Sequence, residues 1–167
     1  DTPTESQAET RAMYHWYGRG QEVIHAIGPK VRERDLATRE LARTYARVFE
    51  AYGTARRDWP SETARTLRLC PISSGVFLQN WALSSEMPAI TWAAISEALG
   101  ALGQEARRIL RETAVEMCIY SHEEVTLYKD ALREQMAQDK VAALRQRLPT
   151  PERAADACLE QAIAMDA

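Results

Sequence analysis

Cysteine, proline and glycine are all scarce in this chain, which has 3, 7 and 7 of them in 167 residues. So little glycine and proline, together with 46% hydrophobic and 27% charged residues, excludes collagen-like, low-complexity and broadly disordered chains. The length predicts a single domain over residues 1–167, and the spacing of its apolar residues predicts that this domain is all-helical. Residues 148–167 are expected to form a peripheral or loosely docked helix.

The chain also lacks an excess of basic residues and any long hydrophobic run. Lysine and arginine total 21 against 24 acidic residues, a net charge of -3, so whole-protein basicity gives no support for nucleic-acid binding. The longest uncharged run, residues 69–85, is too short and too polar for a membrane span, and we expect none. Three cysteines without a CxxC pair favour a reducing, cytoplasmic compartment, while a chain that begins at Asp1 is also compatible with a processed, exported form.

Apolar residues recur at every third or fourth position in two N-terminal segments, which is typical of amphipathic helices. The first predicts a helix over residues 4–27 that stops at Gly28-Pro29. The second predicts a helix over residues 31–52, followed by Gly53 as the residue after its end. Because so short a connection between helices usually builds a hairpin, we expect two long antiparallel helices.

The remaining segments also indicate helices. Proline and serine interruptions from residue 54 to residue 88 favour short helices, whereas the proline-free stretch up to residue 147 favours a long one. No strand-type alternation is flanked by hairpin signals, so the predicted fold class is all-α, a helical bundle. The predicted later helices cover residues 61–69, a segment from Ser73 or Ser74 to Leu83, 88–101, 104–137 with a bend or short stop before 140–147, and a small terminal helix after Thr150.

Arginines cluster locally. Residues 29–68 carry ten basic against six acidic residues, a net charge of +4, and Arg39, Arg43 and Arg47 follow i, i+4 spacing. This arginine ladder should face outward, opposite the apolar stripe of its helix. It is compatible with a solvated face, an acidic protein partner or nucleic-acid phosphates. Trp59, in a loop beside arginines, is a candidate contact residue.

Two spacings are weak candidates for metal ligation. Glu22-x-x-His25 has half of the ligand pattern that a di-iron bundle needs, and the second half is absent from the sequence. Cys118 and His122, one helical turn apart, supply two of the four ligands of a tetrahedral site. We therefore expect neither a metal nor a cofactor.

Aromatic and histidine side chains suggest another type of site. Trp16, Trp81 and Trp92 occupy apolar positions of predicted helices, so we expect them in the core. Such rings can also line a pocket between helices. The candidate pocket residues are His15, Trp16, His25, Trp81, Trp92 and His122.

Three functions follow from these features. The first is a non-enzymatic helical module that binds another protein or a second copy of itself, since no acid, base, nucleophile and phosphate loop converge. Apolar residues off the main stripe of the predicted helix over residues 104–137 also favour a covered second face. The second is a bundle that binds, or acts on, a small apolar ligand in the aromatic-lined pocket. The third is nucleic-acid binding through the arginine ladder.

Overall fold

The computed structural model describes residues 13–16, 22–57, 66–75 and 77–147. They are mostly helical, with two small sheets of two strands each. In chain order the elements are β1 (Met13–Trp16), β2 (Glu22–His25), α1 (Arg34–Arg56), β3 (Thr66–Leu69), a 3-10 helix (Trp81–Glu86), α2 (Met87–Ala101), α3 (Gln104–Arg111), β4 (Ala114–Met117) and α4 (His122–Arg147).

Helix α1 is the central element and confirms the predicted helix over residues 31–52. Its apolar stripe is buried, and α2, α3, β1 and β2 all contact it. The helix does not end at Gly53 as the sequence suggested. Gly53 lies within it, where α3 approaches so closely that an added Cβ would be 3.4 Å from the Ala106 Cβ. Gly53 is therefore a packing position of the helix and not the residue after its end.

Helix α2 confirms the prediction for residues 88–101 and makes the main helix–helix contact with α1. Pro88 lies in its first turn, where a missing N–H costs no helical hydrogen bond. The preceding 3-10 helix is capped by Asn80, whose side-chain oxygen accepts a hydrogen bond from the Ala82 N–H at 3.2 Å. The expected helix from Ser73 or Ser74 to Leu83 is wrong, because turns occupy the segment up to Ser74 and the 3-10 helix begins only at Trp81.

The all-α prediction is wrong at three places. The predicted helix over residues 4–27 is replaced by β1 and β2, which pair antiparallel, at the residues that the structure describes. Of the predicted helix over residues 61–69, residues 66–69 form β3 instead, and the rest lies outside the described residues. The predicted helix over residues 104–137 is interrupted by β4 between α3 and α4. Strand pairing satisfies the backbone in each case, between sequence neighbours for β1 and β2 and between distant segments for β3 and β4, and local helix periodicity does not report either pairing.

Strands β3 and β4 form a parallel pair in which Leu67 faces Val115 and Leu69 faces Met117 in register. Leu67 and Leu69 are buried while Thr66 and Arg68 are exposed, so one face of β3 covers the core. A further parallel bridge joins Val31 to Leu78.

The core lies between α1, α2, α3 and β3. Tyr45 is fully buried at its centre, and its ring packs against Phe49 with 6.3 Å between centroids. The Tyr45 hydroxyl donates to the Cys70 carbonyl at 3.2 Å and accepts from the Ile72 N–H at 3.0 Å. A buried side chain of the central helix thus fixes the backbone that follows β3. The largest fully buried side chains include Tyr45, Phe49, Leu41, Leu78, Met87, Ile90, Ile109 and Val31.

Helix α4 is continuous from His122 to Arg147, so the bend or stop expected before residues 140–147 is not observed. Contacts divide the chain into two units, Asp1–Gln135 and Met136–Ala167. In the described part of the second unit, Met136, Val141 and Leu144 are exposed. The predicted terminal helix after Thr150 lies outside the described residues. Among the helices described, none combines the length and apolarity that crossing a membrane requires.

Gly28 meets a tight steric constraint. A Cβ at this position would overlap the Ser73 Oγ and the Ile72 Cγ2. Ser73 cannot easily yield, because its hydroxyl donates to the Pro29 carbonyl at 2.7 Å and its φ of 63° is in the left-handed region.

We predict that Gly28→Ala lowers the free energy of unfolding by about 1–3 kcal/mol, since the added methyl group overpacks a buried contact. Gly100→Ala is the matched control, because no atom lies within 4 Å of its added Cβ and the site is helical. It should be neutral or stabilising by up to about 1 kcal/mol. Urea denaturation measures both, and equal effects of the two changes would contradict the packing at Gly28.

The buried tyrosines predict a loss of stability at alkaline pH. Burial raises the pKa of Tyr128 to about 12 and raises the pKa of Tyr45 even further above its ordinary value. Above the ordinary tyrosine pKa of about 10, the unfolded chain releases protons that the folded chain keeps. The free energy of unfolding therefore falls as the pH rises from about 10.

Urea midpoints measured from about pH 8 to about pH 12 should show this fall. Tyr45→Phe and Tyr128→Phe should each make the decline shallower, even where they lower stability at neutral pH. Tyr120→Phe, at a fully exposed tyrosine, is the control and should keep the wild-type slope. An unchanged slope in both buried variants would contradict the assignment.

Candidate functional site: an exposed tryptophan and an arginine ladder

Trp81 is the largest exposed hydrophobic side chain among the residues described, with 69% of its surface accessible. The expectation that Trp81 lies in the core is therefore wrong. Asn80 and Leu83, close to it in sequence, are firmly held: the Asn80 N–H and Nδ2 donate to the carbonyls of Val31 and Arg32, and Leu83 is buried. The 3-10 helix thus presents Trp81 to solvent from a fixed backbone.

The bridge between Val31 and Leu78 builds the surface next to Trp81. Both of these side chains are buried, so the alternation of extended backbone leaves their neighbours outside. Arg32 Nε donates to Gln79 Oε1 at 2.7 Å across the bridge. We define the Trp81 surface by its exposed residues, which are Lys30, Arg32, Phe77, Gln79 and Trp81.

The arginine ladder lies along α1. Arg39, Arg43 and Arg47 are all exposed, which confirms that the ladder faces outward. Arg47 pairs with Glu50 at 2.9 Å, an exposed contact that contributes little to stability. The ladder spans roughly 12 Å along the helix.

An ion pair connects the Trp81 surface to the beginning of α1. Arg34 in the first turn of α1 lies 3.2 Å from Glu86, the last residue of the 3-10 helix that begins with Trp81. Leu36, in the same turn of α1, is also exposed. This ion pair joins the 3-10 helix to the beginning of α1, the helix that carries the arginine ladder further along its length.

The other candidate residues lie on separate elements. His15 and Trp16 belong to β1, where side chains are not described, and Trp59 lies outside the described residues. His25 is exposed on β2, and His122 is exposed at the start of α4. Trp92, on α2, is half-buried. Candidate pocket residues that the sequence placed on neighbouring helices are thus distributed over strands and helices.

Trp92 has a clear structural role. Its Nε1 donates to the Tyr128 carbonyl at 2.8 Å, which ties α2 to the first half of α4. The Tyr128 side chain is buried, as is the side chain of Thr91 beside Trp92 in sequence. This contact explains the indole as a connector between two helices.

In the structure, neither of the two residue pairs that were weak candidates for metal ligation shares one turn of a helix. Residues 118–121 are not helical, so Cys118 and His122 are not one helical turn apart. Glu22 and His25 are positions of a strand, where residues three apart do not share a face. Within residues 22–57, 66–75 and 77–147, the described side chains form no group of three or more potential metal ligands.

The spare apolar face that the sequence suggested on residues 104–137 is also redistributed. Ile109 is buried in α3, whereas Val115 on β4 and Leu127 on α4 are exposed. These side chains therefore do not form one continuous helical face.

Trp81 and Trp92, the two tryptophans whose side chains the structure describes, allow the stability effects of an exposed and a half-buried ring to be compared. We predict that Trp92→Phe lowers the free energy of unfolding by about 1 kcal/mol, because a part-buried hydrogen bond is lost. Trp81→Phe should change it by less than about 0.5 kcal/mol, as is usual for exposed positions. Chemical denaturation of both variants checks the prediction, and a larger cost for Trp81→Phe would show that its ring is packed.

No family model, curated protein or solved structure matches this chain. The described surface residues are therefore the basis for a functional assignment.

Proposed function

We propose that this protein is a non-enzymatic interaction module that binds an acidic segment of another protein through the Trp81 surface and the arginine ladder. The observation that carries the proposal is the 69% exposure of Trp81 on a backbone held by buried and hydrogen-bonded neighbours. Tryptophan and arginine are the residue types most enriched where binding energy concentrates in protein interfaces.

The rigidity of the Trp81 backbone supports the proposal. A ring presented from a fixed 3-10 helix loses little conformational freedom on binding, which lowers the entropic cost of association. Phe77, exposed across the bridge from Lys30, extends the apolar contact area. An apolar or aromatic side chain of the partner would pack against these rings.

Charge defines the rest of the partner. Arg32 is hydrogen-bonded to Gln79, and Arg39 and Arg43 lie along α1. Guanidinium groups bind carboxylates in a bidentate manner and steer acidic partners during association. We therefore infer a partner segment in which aspartate or glutamate flanks an apolar side chain.

Nucleic acid is the competing ligand, since arginines also bind phosphates. The net charge of -3 disfavours it, because the field of the whole protein repels a polyanion. High ionic strength weakens the binding of an acidic peptide and of nucleic acid alike, so the test measures the binding of both ligands.

The test starts from a displayed library of random short peptides selected against the full chain. Selected peptides should combine acidic residues with an apolar residue, and one of them becomes the labelled probe for fluorescence anisotropy. Trp81→Ala and the double change Arg39→Glu/Arg43→Glu should each weaken its binding at least about tenfold.

Two variants serve as matched controls. Leu99→Ala removes another exposed apolar side chain, and Arg133→Glu reverses another exposed arginine; both should leave binding unchanged. Selection without acidic enrichment, or binding that is insensitive to Trp81→Ala, would overturn the proposal. Low-salt retention of labelled DNA or RNA that is lost on ladder reversal would instead assign the ladder to nucleic acid.

A further inference from the structure

Two cysteines that are distant in sequence meet at the ends of β3 and β4. The parallel pair ends in register at Leu69 and Met117, so Cys70 and Cys118 are the next position on each strand. The Cys118 N–H donates to the Leu69 carbonyl at 2.7 Å, so the backbone hydrogen bonding between the two strands continues to Cys118. Adjacent strands are about 4.8 Å apart, within the range of Cα separations that a disulfide spans.

The same pair of strands indicates that the two thiols share a face. Arg68 and Glu116 are register partners, and their side chains meet on the exposed face at 2.8 Å. Cys70 and Cys118 lie two residues further along each strand, and side chains two apart point to the same side. Both cysteines are free and exposed.

The backbone at Cys70 is held in place from the core. The Cys70 carbonyl is held by the buried Tyr45 hydroxyl, which fixes the backbone at this end of β3. The thiolate is the nucleophile in disulfide exchange.

We propose that Cys70 and Cys118 form a redox-responsive dithiol that reacts with a low-molecular-weight disulfide to close an intramolecular disulfide across β3 and β4. The Cys118 thiolate attacks one sulfur of the small disulfide, whose sulfur–sulfur bond breaks and releases one thiolate. The Cys70 thiolate then attacks Cys118 Sγ in the mixed disulfide and expels the second thiolate.

The reaction is balanced without a further oxidant. The two cysteines lose two electrons and two protons, and the small disulfide gains them and leaves as two thiols. The new bond would join the end of β3 to the end of β4 and so close the loop of chain between Cys70 and Cys118. Oxidation would restrict the unfolded chain and make the protein more resistant to denaturation.

The first experiment treats the full chain with oxidised glutathione and identifies the products by mass spectrometry under non-reducing conditions. Trypsin cleaves between the two cysteines, for example after Arg107 and Arg111, so a cross-linked peptide pair reports the disulfide. Wild type and Cys158→Ser should both give the Cys70–Cys118 cross-link. Cys118→Ser and Cys70→Ser should stop at a single glutathione adduct on the remaining member of the pair.

A second probe tests proximity without oxidation. Phenylarsine oxide bridges two neighbouring thiols, so one molecule should bind to each reduced Cys158→Ser chain. Its binding should be at least about tenfold weaker when Cys70 or Cys118 is also replaced by serine, because one of the two linked contacts is lost. Any of three results would overturn the proposal. These are separate glutathione adducts on Cys70 and Cys118, a cross-link to Cys158 or between chains, and arsenical binding that survives the loss of one thiol.

Discussion

The buried face of α1 is the constraint to which the described parts of the first unit conform. A helix of this length with one continuous apolar stripe must be covered along its whole length, and α2, α3 and the strands share that task. Gly53 packs against α3, while the Tyr45 hydroxyl fixes the backbone after β3. The outer face of the same helix is left to the arginines, so one amphipathic segment organises both the core and the charged surface.

Sequence reasoning succeeded where the determining contacts are local. The spacing of Leu41, Tyr45 and Val48 identified α1, and the proline-free apolar pattern after Pro88 identified α2. It failed where strand pairing decides the conformation. Four-residue strands such as β3 and β4 carry too few positions for a period of two to stand out, and their stability comes from each other.

The candidate site shows the same division. The outward direction of Arg39, Arg43 and Arg47 follows from helix geometry and was predictable. The exposure of Trp81 was not, because the same apolar composition fits a core helix as well as a 3-10 helix at the surface. The neighbourhood of Cys70 and Cys118 was also hidden, since reading residues 104–137 as one helix paired Cys118 with His122 instead. Only the strand register brings the two thiols together.

The parallel pairing of β3 with β4 also affects the order in which the chain can fold. The 3-10 helix, α2 and α3 all lie between these two strands in sequence. Contact between β3 and β4 therefore closes a long loop, which has an entropic cost. Contacts of such high sequence separation slow folding, whereas the α1 and α2 helices form from near neighbours. We therefore expect β4 to dock on β3 only after α1 and α2 have packed together.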